Sequence, residues 1–198
     1  MIKLIIFDVG GVLVDFSEQE YAAYISPKLG IKRSEFIKVL KPMIAKMEVG
    51  EMRLSEMSKE LASCFGIAES KFEFTDAFEK IAKPNQNVIN VAKKLSKRYK
   101  VVLLTNVSFP RYLPMKHMFL DRLGFKTFAS CYLRMAKPSP KLYRYVLKKM
   151  HAKAGEALFI DNNAKNVEGA RSIGIKSIKF ISYEQLLERL MALGIAVD

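Results

Sequence analysis

In the stretch IIFDVGGVL an apolar run, Leu4 to Phe7, hands over to a single acid, Asp8, followed by Val9, Gly10 and Gly11. Further along, VVLLTN ends on Thr105 and Asn106, AKPSPKLY carries Lys137 ahead of a proline, and LFIDNNAKN ends on Asp161, Asn162 and Asn163. An acid, a hydroxyl, an ammonium and a second acid form a coherent chemical set. A carboxylate can attack phosphorus and form an aspartyl-phosphate. Two anions repel, so such an attack needs cations. Lys137 would offset charge near both carboxylate and phosphate. Mg2+, which takes about six oxygen ligands and tolerates water among them, could be held by Asp8 and the residues around Asp161. The Thr105 hydroxyl and backbone N–H groups would bind the remaining phosphate oxygens. The glycines Gly10 and Gly11 let the backbone come close to the phosphate. Taken singly, each signal has a plain structural explanation: a lone Asp as a cap, Lys-Pro as a helix boundary, Thr-Asn as a capping pair. Their joint occurrence points to a site.

These residues need elements to bring them together. Short, β-branched, nonpolar runs predict strands over 3–8, 100–105, 127–131, 157–161 and 176–180, buried on both faces. Helical patterns separate most of them, over 86–98, 112–123, 140–150, 164–173 and 183–193. Such alternation implies an α/β fold with a parallel sheet and right-handed crossovers. The first crossover is anomalous, because residues 9–99 are far too many for one helical connection. That span reads as amphipathic helices over 17–25, 34–47, 55–65 and 69–81, an insertion perched over the sheet. In open parallel sheets ligands bind beyond the carboxyl ends of the strands, where strand order reverses. Asp8, Thr105, Asn106 and Asp161 all sit at such ends, with Lys137 in a connection beside them.

The motifs FDVGGVL, LLTN, AKPSPKLY and FIDNNAKNVEGARSIGI, in this order, resemble those of the haloacid dehalogenase-like hydrolase superfamily, and the resemblance spans nearly the whole chain. Within it the chain looks most like small sugar-phosphate phosphatases such as the glucose-1-phosphate phosphatases. The resemblance implies a Rossmann-like core of strand order 3-2-1-4-5, made of residues 1–15 and 84–198, with a helical cap over 16–83. It implies Asp8 as nucleophile and metal ligand, and Gly10 as a ligand through its carbonyl. Thr105 would bind phosphate by its hydroxyl, Asn106 by its backbone N–H, and Gly11 by close approach. Lys137 would stabilise the phosphoryl charge and hold Asp8. Asp161 and Asn162 would sit at Mg2+, directly or through water, and Asn166 would order their loop. The implied activity is Mg2+-dependent hydrolysis of a small phosphorylated metabolite.

Two departures bear on turnover. The common first motif is Asp-x-Asp, whose second acid protonates the leaving group and then activates water. That help is worth about 100- to 10,000-fold. Here the position is Gly10, which favours esters with good leaving groups, while Asp15 is near only in sequence. The fourth motif commonly has two adjacent acids, and this chain has Asp161-Asn162. A phosphate- or metal-binding protein with little turnover is therefore the alternative. A response-regulator receiver is disfavoured because its acceptor Asp lies mid-chain, on the third strand. A metal-free dehalogenase is disfavoured by the strand-four pattern.

The totals bound the rest. The chain has 198 residues, 50% of them hydrophobic, enough for one domain with an insertion. No apolar run approaches a membrane span and the N-terminus carries no leader pattern, so a cytoplasmic location with no membrane partner is expected. Cys64, on an apolar helix face, and Cys131, on a strand, read as core thiols; His117 and His151 are isolated. The net charge of +13 sits largely on helix-like segments such as Lys93, Lys94, Lys97, Arg98 and Lys100. Solvated helix faces explain it, and steering of anionic substrates is a second reading. Nucleic-acid binding is not excluded, though no recognisable module accompanies the charge. A monomer or a homodimer is equally compatible with the sequence. Met43, Met47, Met52 and Arg53 are candidates to face the site from the cap.

Overall fold

The computed structural model describes residues 1–72 and 74–197. The strands are β1 (Leu4–Phe7), β2 (Val14–Asp15), β3 (Lys83–Pro84), β4 (Lys100–Thr105), β5 (Lys126–Ala129), β6 (Ala157–Asp161) and β7 (Lys176–Lys179). The helices are α1 (Glu18–Leu29), α2 (Arg33–Glu48), α3 (Leu54–Phe65), α4 (Phe74–Ile81), α5 (Gln86–Leu95), α6 (Phe109–Met115), α7 (Asp121–Leu123), α8 (Ser130–Leu133), α9 (Pro140–Met150), α10 (Ala164–Arg171) and α11 (Tyr183–Ala192).

Five strands form one parallel sheet in the order β5-β4-β1-β6-β7. In chain order that is third, second, first, fourth, fifth. The order reverses at β1, which has β4 on one side and β6 on the other. Each strand of the centre is buried on both faces, and alternation divides it between two apolar clusters. Ile5 and Phe7 of β1 pack with Leu103, Leu158 and Ile160, with α5 and α11, and with the helices before β3. Leu4 and Ile6 pack on the opposite face with Val102, Leu104 and Phe159, under Leu142, Tyr143 and Val146 of α9. Continuous apolar runs are thus what a strand with two covered faces requires.

The helices end and begin where short polar side chains satisfy the free backbone N–H groups. Ser17 caps α1, Asn85 caps α5, Asn163 caps α10 and Ser182 caps α11, each accepting from a backbone N–H two or three residues on. Helices α1 to α4 lie between β2 and β3, which pair antiparallel through Val14–Pro84 and Asp15–Lys83. This small ladder, absent from the reading of the sequence, brings the two ends of the helical insertion together at the mouth of the sheet.

Several local expectations need correction. The third strand stops at Ala129, and Ser130–Leu133 forms the short helix α8, so Cys131 is a buried helical thiol. Cys64 is exposed rather than a core thiol: it lies in the last turn of α3, beyond Met57 and Leu61, the side chains that helix buries. The helix expected over 112–123 starts three residues earlier. Ser108 precedes it and Pro110 occupies its first turn, and it continues into a π turn over Lys116–Leu120. The helix expected over 69–81 splits into a 3-10 turn, Glu69–Lys71, and α4; residue 73 lies outside the described residues.

Candidate active site

Asp8 follows β1, and its carboxylate meets the sheet's switch point. Its Oδ1 accepts from the Val9 N–H at 2.7 Å and lies 2.7 Å from Lys137 Nζ. The same ammonium donates to Asp161 Oδ2 at 2.7 Å and to the Leu104 carbonyl at 3.1 Å. One lysine therefore bridges two carboxylates and ties down the carboxyl end of β4. All three side chains are almost wholly buried. With both acids ionised, the two carboxylates and one ammonium carry a net charge of −1, an environment that attracts a further cation.

The connection that carries Lys137 is itself fixed. The Lys137 N–H donates to Asn106 Oδ1 at 2.9 Å, and Asn106 Nδ2 donates to the Lys137 carbonyl at 3.0 Å. The Asn106 side chain is spent on this pairing, so its backbone N–H is what it can offer a ligand. Behind the loop, α10 approaches so closely that a Cβ on Gly169 would lie 2.5 Å from the Pro138 carbonyl oxygen. Next to Thr105 and Asn106, the Val107 N–H donates to the buried Ser130 Oγ at 2.9 Å.

Asp161 differs from Asp8 in how its oxygens are used. Oδ1 accepts from the Asn163 N–H at 2.7 Å and from Asn166 Nδ2 at 3.2 Å, while Oδ2 accepts from Lys137 and from Asn166 Nδ2 at 3.0 Å. Asn166 is held in turn by Tyr143, whose hydroxyl donates to its carbonyl at 2.8 Å. Asp161 is fully buried and saturated by protein donors. Asn162 instead faces the cavity, where its amide covers Gly11. A Cβ at Gly11 would sit 2.0 Å from Asn162 Nδ2, and the φ of +74° at Gly11 also demands a glycine.

Burial dominates the electrostatics. It pushes the Asp8 carboxyl up to about 7, with Lys137 pulling down and Asp161 adding to the rise. Burial works against the Lys137 ammonium too, but Asp8 and Asp161 outweigh it and raise its pKa above the usual lysine value.

Above these groups lies a cavity of about 310 Å³. Asp8, Gly10, Thr105, Asn106, Lys137, Asn162, Asn163 and Asn166 all line it, so eight of the residues singled out from the sequence share one space. Gly11 adjoins it through Asn162, and Asp161 lies beneath it, behind Lys137. The opposite wall was missed. It is made by Phe16, Glu48 and Phe78 with Arg111 and Met115 of α6. Phe16 and Phe78 pack with centroids 4.9 Å apart and their planes tilted by 52°, and the Arg111 guanidinium sits 4.6 Å over the Phe16 ring. Met43 and Met47 are core side chains of α2, and Met52 and Arg53 line a separate hollow, so none of the four reaches this wall. Asp15 is exposed on β2 and lies outside the cavity lining. The signal for Glu48 was present: an acid closing a helix, against the sign of the helix dipole, just before the VGEM turn.

The profile of the haloacid dehalogenase-like hydrolase family matches residues 2–174. The chain belongs to this family. It is 25% identical over 193 residues to a D-ribitol-5-phosphate phosphatase of Bacteroides thetaiotaomicron, covering 90% of this chain and 92% of that protein. It is also 25% identical over 178 residues to a sesquiterpene phosphatase of Aspergillus oryzae, covering 87% of each. Among solved structures, a HAD-family enzyme of Bacteroides thetaiotaomicron, in complex with magnesium and inorganic phosphate, superposes with a TM-score of 0.75. That match is 20% identical and covers 90% of this chain and 93% of the other. It shows the shared fold. No helix among the described residues is long and apolar enough to cross a membrane.

Proposed function

We propose that this HAD-like hydrolase is a Mg2+-dependent phosphatase of a small phosphorylated metabolite, acting through an aspartyl-phosphate on Asp8. The observation that carries the reading is the Lys137 ammonium, 2.7 Å from both Asp8 and Asp161 under a cavity lined by Thr105 and Asn106. Asp8 attacks phosphorus through its carboxylate. Lys137 orients that carboxylate and offsets phosphoryl charge. The Thr105 hydroxyl and the Asn106 backbone N–H take the other oxygens. Asp161 acts one step back, holding Lys137. A phosphatase named for a pentitol phosphate, alignable over nearly the full chain, supports a sugar- or polyol-phosphate substrate. Residues 16–83 act as the cap that closes over it and excludes water.

The donor set fits Mg2+. No cluster of three or more His, Cys, Asp or Glu exists among the described residues, so backbone and amide oxygens would have to complete a metal site here. Asp8, the Gly10 carbonyl and the Asn162 amide offer hard oxygens at one side of the cavity, beside a net negative charge. Asp161, with both oxygens engaged, reaches a cation there through water or by giving up a hydrogen bond. When bound, Mg2+ supplies neutralisation of the phosphoryl oxygens as Asp8 approaches.

A second reading, a phosphate- or metal-binding protein that turns over little, is favoured by Gly10 and Asn162, which stand where many relatives have acids. Phosphate release from a panel of sugar, polyol and aryl phosphates, with and without EDTA, separates the two. The leading reading expects EDTA-sensitive release. Saturable binding with no release from any ester would overturn it in favour of the second.

A further inference from the structure

Gly10 leaves the chemistry without the proton donor and acceptor that an acid at that position would provide, and the core offers no substitute. Asp15 is exposed on β2 outside the cavity, and Asp161 is buried with both oxygens hydrogen-bonded. The helical insertion does offer one. Among the described residues lining the cavity, Asp8 and Glu48 are the two carboxylates. Glu48 is the last residue of α2, the helix whose buried face, Phe36, Leu40, Met43, Ile44 and Met47, anchors it in the core cluster. Its position is also registered by Cys131 of α8, whose thiol, raised to about 11 chiefly by burial, feels the Glu48 charge as a further rise.

Position suits this side chain to proton transfer. It shares the cavity with the nucleophile. Its wall of the cavity carries Phe16, Phe78 and Met115 together with the Arg111 guanidinium. A leaving group pointing away from Asp8 would enter this part of the cavity, since the phosphate end is fixed by Thr105, Asn106 and Lys137.

We propose that Glu48 is the general acid–base group of this hydrolase, presented by the cap instead of by the first strand. The proposal rests on the phosphatase reading above. In the first step an Asp8 oxygen bonds to phosphorus and the phosphorus–oxygen bond to the leaving group breaks. Glu48 gives its proton to that oxygen, and a neutral alcohol departs. In the second step the Glu48 carboxylate takes a proton from water as the water oxygen bonds to phosphorus. The bond from phosphorus to Asp8 breaks, inorganic phosphate leaves, and Asp8 and protonated Glu48 are restored. One ester and one water are consumed; one alcohol and one phosphate are formed.

The test compares two esters on the Mg2+-loaded full chain. p-Nitrophenyl phosphate releases a phenolate that needs no proton; glycerol 3-phosphate releases an alkoxide that does. Glu48→Gln should lower kcat/KM on the alkyl ester by about 100-fold or more, and change kcat/KM on the aryl ester much less, because that ratio reports the first step and the second step is common to both esters. Glu48→Asp, which keeps a carboxyl, should retain more alkyl activity than Glu48→Gln. Adding Gly10→Asp to Glu48→Gln should restore alkyl turnover, because a Cβ at position 10 meets nothing nearer than the Phe16 carbonyl oxygen at 3.9 Å. Equal losses of kcat/KM on both esters, or undiminished alkyl turnover in Glu48→Gln, would overturn the proposal and leave the phosphatase reading standing. A wild type inactive on both esters would remove that reading, and this proposal with it.

Discussion

Lys137 is the residue on which the site's electrostatics turn. It stands 2.7 Å from two buried carboxylates, and no other cation is within ion-pair distance of either among the described contacts. Replacing it by Met would leave Asp8 and Asp161 facing each other uncompensated. Losing one partner of a buried ion pair costs about 3–5 kcal/mol. Urea unfolding of metal-free Lys137→Met should show a loss of that order; a loss below about 1 kcal/mol would contradict the arrangement. Asp8 supplies the pH dependence. Its folded pKa of about 7 lies above the ordinary 3.8, so between those values the folded chain binds more protons than the unfolded chain. The Asp8 contribution is therefore fully present below the ordinary value and is lost as pH rises through the folded one. Metal-free Asp8→Asn should gain stability relative to wild type between about pH 5 and about pH 8, read as the difference in urea midpoints. A difference that shrinks over that range would contradict the sign. On the proposed metal site, Asn162→Asp should bind Mg2+ more tightly by calorimetry, since a charge replaces an amide at the cavity wall, and unchanged affinity would count against a ligand role there.

At the scale of elements, the site depends on α10 and the connection before α9 being pressed together. Gly169 of α10 leaves no room for a methyl group against the Pro138 carbonyl oxygen, at 2.5 Å from the Cβ position, and that oxygen is backbone. Gly169→Ala should destabilise the fold by about 1–3 kcal/mol and lower activity by displacing Lys137, even though alanine is the better helix former. A more stable Gly169→Ala with full activity would show that the contact is slack. The core elements were legible because each is written locally. Leu4 to Phe7 is a doubly covered strand, Asn163 a cap, and Asp8 and Asp161 stand at strand ends; alternation implies a parallel sheet, and the strand order follows from the family resemblance alone. The wall opposite Asp8 was not legible. Met43 and Met47, offered by the sequence as candidates to face the site, are core side chains of α2 instead. Which helix end reaches the cavity depends on how α2 sits against α8 and how α4 sits against α6, and no local pattern encodes that. Phe16, Glu48 and Phe78 meet Arg111 from three different segments. Thr127 to Cys131 misled for a simpler reason: a short apolar run reads alike as strand or buried helix, and the chain turns from one to the other at Ser130.

For the whole molecule, the sheet divides two kinds of surface. Lys3, Lys100, Lys126 and Lys176 are exposed at the starts of strands, the end away from Asp8, and account for part of the +13 charge without entering the cavity. The opposite end gathers the buried acids, the one bridging ammonium and the helical insertion, whose two ends are joined by the β2–β3 ladder. This division places the chemistry at the reversal of strand order, where β1 delivers Asp8 between β4 and β6. The account stands or falls on Asp8 becoming covalently phosphorylated. Acid-quenching the Mg2+-loaded protein during turnover of an aryl phosphate, reducing it with borohydride and sequencing the peptides by mass spectrometry tests this directly. The account predicts conversion of the Asp8 acyl phosphate to homoserine at position 8, absent without substrate; turnover with Asp8 unmodified, or undiminished turnover in Asp8→Asn, would contradict it.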